Sequence, residues 1–267
     1  MTIHIGLGML LVGGSFAALI AGLRVLRDAG AANPELLRKL LHIGMGVVSL
    51  SLPWLFDTPW PVLVMASLFG LGLVGGRFSP VWRRIADGIV YGVRRHSFGD
   101  LCFPVAIAAL FLVSARDPVT FSIPILIMTL ADAAAALVGT RRGAHVFRRP
   151  GREKSIEGSV AFLIVALPCA YVPLRVWSGG DWVAMLLLSL TLALLATLVE
   201  ALSWNGLDNL TVPLAAFLLL RMLRGCDIAY LMVCLAVTAG VITFLACGCA
   251  QGTGTSSAAS EVIHEPV

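Results

Sequence analysis

The sequence predicts an all-α fold: a polytopic transmembrane helical bundle of about nine spans, with the N-terminus outside and the C-terminus cytoplasmic. Three observations predict it. Of 267 residues, 58% are hydrophobic and 13% charged, with a mean hydropathy of +0.93, which leaves too little polar surface to cover a water-soluble core. Apolar stretches long enough to cross roughly 30 Å of hydrocarbon as helices follow one another along the chain, and helices satisfy their own backbone hydrogen bonds there. When these stretches are alternated across a bilayer, the positive charges collect on one side.

The first span, 3–23, has no Lys or Arg before it and meets its first positive charge at Arg24, the wrong polarity for a cleaved signal peptide, so it reads as retained. The second, 40–56, opens with His42 beside Arg38 and Lys39, and the third is 60–76. Asp100 introduces the fourth, 101–114, and Asp132 interrupts the apolar run of the fifth, 119–139. The sixth is 159–176; the seventh, 182–202, carries Glu200 in its last turn. The eighth, 209–223, is introduced by Asp208 and holds Asn209, Thr211 and Pro213, which read as a broken helix whose start offers free backbone amides to an anion. The ninth is 228–247. Residues 1–250 read as one transmembrane catalytic domain, and 251–267, rich in Gly, Ser, Thr and Ala, as a disordered tail. The cysteines Cys102, Cys169, Cys226, Cys234, Cys247 and Cys249 form no paired CxxC units and read as small hydrophobes.

Of the 19 Lys and Arg residues, only Arg116, Arg175, Arg221 and Arg224 fall on one side; the rest, including Arg24, Arg38, Lys39, Arg83, Arg141 and Lys154, fall on the other. One miscounted span would flip every later loop and spoil this asymmetry. The basic side is therefore read as cytoplasmic, in the plasma membrane of a prokaryote.

A charge at the bilayer centre costs about 2.5–3.5 kcal/mol even on the lenient insertion scale, so acids within spans are functional suspects. His42, Asp100, Asp132, Lys154, Glu157, Glu200, Asp208 and Asn209 all lie at or toward the cytoplasmic ends, a placement not used to derive the orientation. Asp57, Asp117, Asp181 and Asp227 lie in short connections on the opposite face and read as solvated turn residues. Carboxylates gathered beside a basic loop suit a divalent cation with a polyphosphate: magnesium takes hard oxygen ligands and shares them with substrate phosphates. Lys154 and nearby arginines would neutralise the remaining phosphate oxygens. Against this, Arg141, Arg142, Arg148 and Arg149 read more simply as anchors against anionic headgroups. Ser155 and Glu157 read as a helix start without the usual capping-box spacing, and Glu200 as one half of an ion pair holding two helices. His42 and His96 read as interfacial.

Six short strings, in order, resemble the CTP-dependent prenol and polyprenol kinases that include phytol kinase and dolichol kinase. They are Arg38-Lys39-Leu40-Leu41-His42-Ile43; Ser97-Phe98-Gly99-Asp100-Leu101 with Pro104; Ala131-Asp132-Ala133-Ala134-Ala135 leading to Val138-Gly139; Lys154-Ser155-Ile156-Glu157-Gly158-Ser159; Val199-Glu200-Ala201; and Asp208-Asn209-Leu210-Thr211-Val212-Pro213-Leu214. The likeness runs through most of the chain. It departs at Ala134, where the family more often has Gly, a change that keeps the residue small enough for close helix packing.

The resemblance implies transfer of the γ-phosphoryl group of CTP to an isoprenoid alcohol drawn from the bilayer, with Mg2+. Asp132 and Asp208 would hold the metal with Asn209 in support. Lys154, Ser155, Glu157, Gly158 and Arg141 would face the nucleotide; Asp100 or Glu200 would accept the alcohol's proton, with His42 also in the catalytic set. Resemblance to the shorter phytol kinase members, with no extra N-terminal spans, tilts the expected substrate toward an alcohol of phytol or geranylgeraniol size. Membrane lipids are expected partners, nucleic acid is not, and a homo-oligomer is left open. Two rivals remain at this point. Phosphatidate cytidylyltransferases look like distant relatives, but their longer signature with a Lys-Asp pair, a His-Gly-Gly turn and paired aspartates is absent. An ion-coupled transporter would spread its polar residues through the depth of the membrane rather than crowd one end.

Overall fold

The computed structural model describes residues 4–78, 99–114, 117–149 and 152–257. Among these, nine helical rods correspond in order to the nine apolar stretches. The first rod is α1 (Ile5–Asp28). The second is α2 (Pro34–Leu50), begun by Asn33, whose side chain accepts from Leu36 N at 2.8 Å, and extended by α3 (Leu52–Leu55). There follow α4 (Trp60–Phe78) and α5 (Gly99–Val113). The fifth rod is compound: α6 (Pro118–Leu126), a π turn over Ile127–Ala131, and α7 (Asp132–Arg142). After it come α8 (Ile156–Trp177), α9 (Trp182–Leu202), α10 (Asp208–Leu223) and α11 (Ile228–Ser257). Five rods are long and apolar enough to cross a membrane: Ile5–Asp28, Pro34–Leu55, Pro118–Arg142, Ile156–Trp177 and Trp182–Leu202. Trp60–Gly75, Gly99–Val113 and Ile228–Phe244 are shorter apolar helices. The chain is an integral membrane protein.

The compound rod is the axis of the bundle. Its Ile123, Ile127 and Ala131 belong to a core shared with Phe162, Ala166, Leu192, Ala196 and Ala216 of α8, α9 and α10. Phe121, Ile125 and Met128 belong to a second core with Leu37, Leu41, Met45 and Leu110 of α2 and α5. A helix apolar all round is one buried on every side. The recurring alanines follow from the solvent: between helices in lipid there is little hydrophobic gain, so close packing of small residues supplies the attraction. The outer helices instead leave Leu10, Val25, Val233, Val237 and Phe244 exposed, as a surface against lipid tails requires.

Three expectations need correction or refinement. The all-α description omits a hairpin, β1 (Val146–Arg149) against β2 (Arg152–Ser155), antiparallel with Phe147 opposite Lys154. The eighth stretch is one unbroken helix with Pro213 inside it. Its early amides are not free for an anion: Asn209 N donates to Gly206 O, and Leu210 N and Thr211 N to Leu207 O. Lastly, α11 carries helix to Ser257, into the segment expected to be a tail, while 258–267 lies outside the described residues. So do Ser97 and Phe98 of the second motif string, and His96.

Candidate active site

Asp132 stands at the junction where the π turn gives way to α7, and it is 7% exposed. Glu200 closes α9 and Asp208 opens α10, both buried. The connection between them reverses tightly because Asn205 and Gly206 take positive φ values of 52° and 83°, where Gly is unstrained and Asn is tolerated. A hydroxyl contact between Ser203 and Thr211, 2.8 Å, ties the two helix ends together. The result is a triad: carboxylate oxygens of Asp132, Glu200 and Asp208 all lie within 4.8 Å of one another. At that separation each like-charged pair repels by about 3 kcal/mol at an effective dielectric of roughly 20, so the cluster requires cations.

Two lysines from opposite sides supply part of that charge. Lys39, on α2, places Nζ 2.6 Å from Asp132 Oδ2 and also donates to the Asp132 carbonyl at 3.5 Å. Lys154, at the end of the hairpin, places Nζ 2.7 Å from Glu200 Oε1 and donates as well to the Glu200 carbonyl. The lysine side chains are only 3% and 6% exposed, so both pairs sit where water screens little.

Contacts of α2 with the π turn bring it up to Asp132. Gly46 packs against Thr129 in that turn so closely that an added Cβ would overlap the threonine side chain. One helical turn away, His42 Nε2 donates to the Met128 carbonyl at 3.2 Å and lies 4.0 Å from Asp132 Oδ2. A carbonyl only accepts, so Nε2 carries the proton and this nitrogen is not a base in this arrangement. This hydrogen bond fixes the His42 ring, which stands edge-on to Phe103 at 5.1 Å between centroids.

Beside the triad lies a cavity of about 220 Å³ whose lining includes Asp132, Glu200, Lys154, Ser155, Gly158 and Glu153. The hairpin and the start of α8 fit against α7 because both helices present glycine. A Cβ on Gly158 would come within 2.9 Å of the Ala135 carbonyl, and one on Gly139 within 3.1 Å of Ser155 Oγ. Ser155 caps α8, its hydroxyl accepting from Gly158 N at 3.1 Å.

The structure thus brings together His42, Asp132, Lys154, Ser155, Gly158, Glu200 and Asp208. Other candidates stand apart. Glu157 turns to His145, accepting from its backbone N–H and pairing with Nδ1 at 2.8 Å. It does not line the cavity, and neither does exposed Arg141. Asn209 uses its amide to donate to Gly99 O at 3.0 Å, which anchors α10 to the start of α5 and fixes neighbouring Asp208. Asp100 is half-buried in the first turn of α5. Lys39 is the site residue that received no role from sequence; the sign was its spacing of three from His42, on the helix face that continues through Met45. At the far ends of the helices the acids are structural. Asp117, Asp181 and Asp227 accept from the backbone amides of Val119, Ala184 and Tyr230, and Asp117 also pairs with Arg224.

A phytol kinase from Synechocystis sp. is 32% identical to this chain over 205 residues, spanning 76% of the chain and 85% of that relative. This chain belongs to the phytol kinase family. No known family profile and no solved structure matches it. The site of this family member fits a hard divalent cation on the chemistry of its donors: three buried carboxylates, with oxygens close enough to share one ion.

Proposed function

We propose that this chain transfers the γ-phosphoryl group of CTP to the hydroxyl of an isoprenoid alcohol, phytol or geranylgeraniol in size, on the cytoplasmic side of the membrane. The observation that carries the proposal is the buried triad of Asp132, Glu200 and Asp208 flanked by Lys39 and Lys154. Phosphoryl transfer asks the protein mainly for positioning and charge neutralisation, and these residues supply both.

Asp132, Glu200 and Asp208 would hold Mg2+, which when bound neutralises phosphate oxygens. Glu200 moves from a proton-accepting role to the metal set because it already lies within the triad and is engaged by Lys154. As the nucleotide enters the cavity, Lys154, which lines it, exchanges its carboxylate partner for a phosphate oxygen, while Lys39 keeps Asp132 paired. Such an exchange keeps each ammonium paired throughout. The alcohol oxygen forms a bond to the γ-phosphorus, the bond from that phosphorus to the bridging oxygen breaks, and CDP leaves. Asp100, the remaining acid at this end of α5, accepts the hydroxyl proton. Ser155 and Gly158 shape the phosphate side of the cavity, where the missing side chain of Gly158 leaves room. The lopsided distribution of Lys and Arg supports the orientation, with the hairpin among the cytoplasmic loops.

The test is to incubate the purified protein with Mg2+ and γ-labelled CTP and to offer phytol, geranylgeraniol, farnesol, a long polyprenol and phosphatidate. Label transferred to an alcohol, with release of CDP, supports the proposal; label released as pyrophosphate with phosphatidate alone replaces it with cytidylyl transfer.

A further inference from the structure

A second cavity, about 450 Å³ and almost wholly apolar, lies between α1, α2, α4 and α5. Its volume is within the roughly 300–1,000 Å³ typical of small-molecule sites. We infer that it is the groove that receives the isoprenoid tail, and that Gly13 and Ala17 set how long a tail is accepted; this rests on the kinase proposal above.

The groove points toward the acidic site. Along α2 and into α3, His42 is followed on the same face by Met45, Ser49 and Leu52, all three of which line the groove. From His42 to Leu52 this face runs about 15 Å at the α-helical rise. On α5, Phe103 and Ile107 continue the same direction, beginning one turn beyond Asp100. Phe103 lines the groove while its ring meets that of His42, the neighbour of Asp132. A tail lying in the groove therefore brings its hydroxyl to the end where His42, Asp100 and Asp132 stand.

The direction of α1 is set by its contacts with the second rod. Gly8 lies against Phe56, and Leu19 against Gly44, so α1 runs antiparallel to α2. Ile20 is at the level of the acidic site, Ala17 and Gly13 lie successively farther away, and Met9 is at the distal end. Gly13 and Ala17 line the groove one turn apart, and a Cβ added at Gly13 meets nothing within 4 Å. Added bulk there displaces no neighbour, and both positions are exposed along the groove's rim. Exposed Leu68 on the opposite wall leaves the side of the groove open to the lipid phase.

The occupant is a flexible, methyl-branched hydrocarbon chain. Such a chain leaves a bilayer as apolar as the groove, so entry yields little hydrophobic free energy, and the groove acts by shape and alignment. Its effect then appears as discrimination by length.

At the α-helical rise Gly13 lies about 10 Å and Ala17 about 5 Å from the level of Ile20, so Gly13→Leu should lower kcat/KM for phytol, geranylgeraniol and farnesol by about tenfold or more while leaving the shorter geraniol within about twofold. Ala17→Phe, nearer the site, should extend the loss to geraniol. KM for CTP should not move. In parallel, geranylgeraniol bearing a diazirine at its tail end should label α1 near Met9 or α2–α3 near Leu52 in the wild-type protein. Equal losses for every alcohol in Gly13→Leu, an unchanged length profile in both variants, labelling confined to other helices, or labelling competed as well by phosphatidylcholine as by geranylgeraniol would each overturn the groove assignment. Specific labelling in the groove without phosphorylation of any alcohol would keep the groove as a prenol site and overturn the kinase proposal instead.

Discussion

Lys39→Met offers the sharpest test of the charge balance at the site. The substitution keeps a flexible apolar stem in the core and removes only the ammonium, leaving Asp132 next to Glu200 and Asp208. The Lys39 and Asp132 side chains are 3% and 10% exposed and 2.6 Å apart. Breaking a buried pair of this kind from one side costs about 3–5 kcal/mol, chiefly because the remaining charge is left uncompensated. The same reasoning gives Asp132→Asn a cost of similar size, since Lys39 then stays buried beside an amide. The double variant, with neither charge, should be less destabilised than the sum of the singles, with a coupling of about 1–3 kcal/mol. Equilibrium unfolding in mixed micelles measures all four forms. Magnesium supplies a second reading: if it binds these carboxylates, it replaces part of the missing positive charge in Lys39→Met. The variant should then gain more stability from Mg2+ than the wild type, by up to about 3 kcal/mol at a hundredfold excess over its dissociation constant. A Lys39→Met protein within about 1 kcal/mol of wild type in metal-free buffer, and indifferent to Mg2+, would refute the argument that this lysine stands in for cationic charge.

Other consequences follow from the same geometry. Asp208→Asn and Glu200→Gln should each reduce phosphoryl transfer by at least about a hundredfold, with the fold intact by circular dichroism; a loss under tenfold would remove that residue from the metal set. Gly158→Val should destabilise the protein by about 1–3 kcal/mol, because its side chain meets the Ala135 carbonyl, and micellar unfolding will read the loss. Asp117→Ala, which removes an exposed ion pair with Arg224 and a helix cap at the opposite end, should cost no more than about 1–2 kcal/mol and leave kcat unchanged; a large loss of turnover would place chemistry at the wrong end. A single reporter cysteine at Arg141 in a cysteine-free background should react with impermeant thiol reagents only from the cytoplasmic side, and one at Asp181 only from outside, by labelling in intact cells and inverted vesicles.

The nine helical stretches were legible because lipid imposes a length and a composition on each, and the structure places a rod at every one. The carboxylates were legible for a related reason: an acid within an apolar run, as at Asp132, has no inexpensive solvent. Three features had weaker signals. The π turn leaves the apolar pattern of 118–142 unchanged, and its close contact, Gly46 against Thr129, joins residues far apart in sequence. The hairpin is short and highly charged, and Pro150-Gly151 between its strands is its main sequence cue. Lys39 was hidden by company, because next to Arg38 and Arg24 it counts as one more positive charge on a basic side.

The contrast between those neighbours shows what sequence alone could have offered. Arg38 pairs locally with Glu35 at 2.7 Å, three residues back on α2, and stays partly exposed. Lys39, one residue on, turns by about 100° around the helix and joins the face of His42, Met45 and Ser49. A cation on the buried face of a membrane helix requires an anion across the interface, whereas a cation on the outer face requires only headgroups. Face, rather than loop membership, separates a residue that anchors the bundle from one that belongs to its acidic centre. The criterion applies equally to Lys154. Its strand partner Phe147 is opposite in register, yet its ammonium lies 46 residues away in sequence, at Glu200. The hairpin therefore carries charge into the bundle, and its removal should unpair Glu200 as surely as Lys154→Met would.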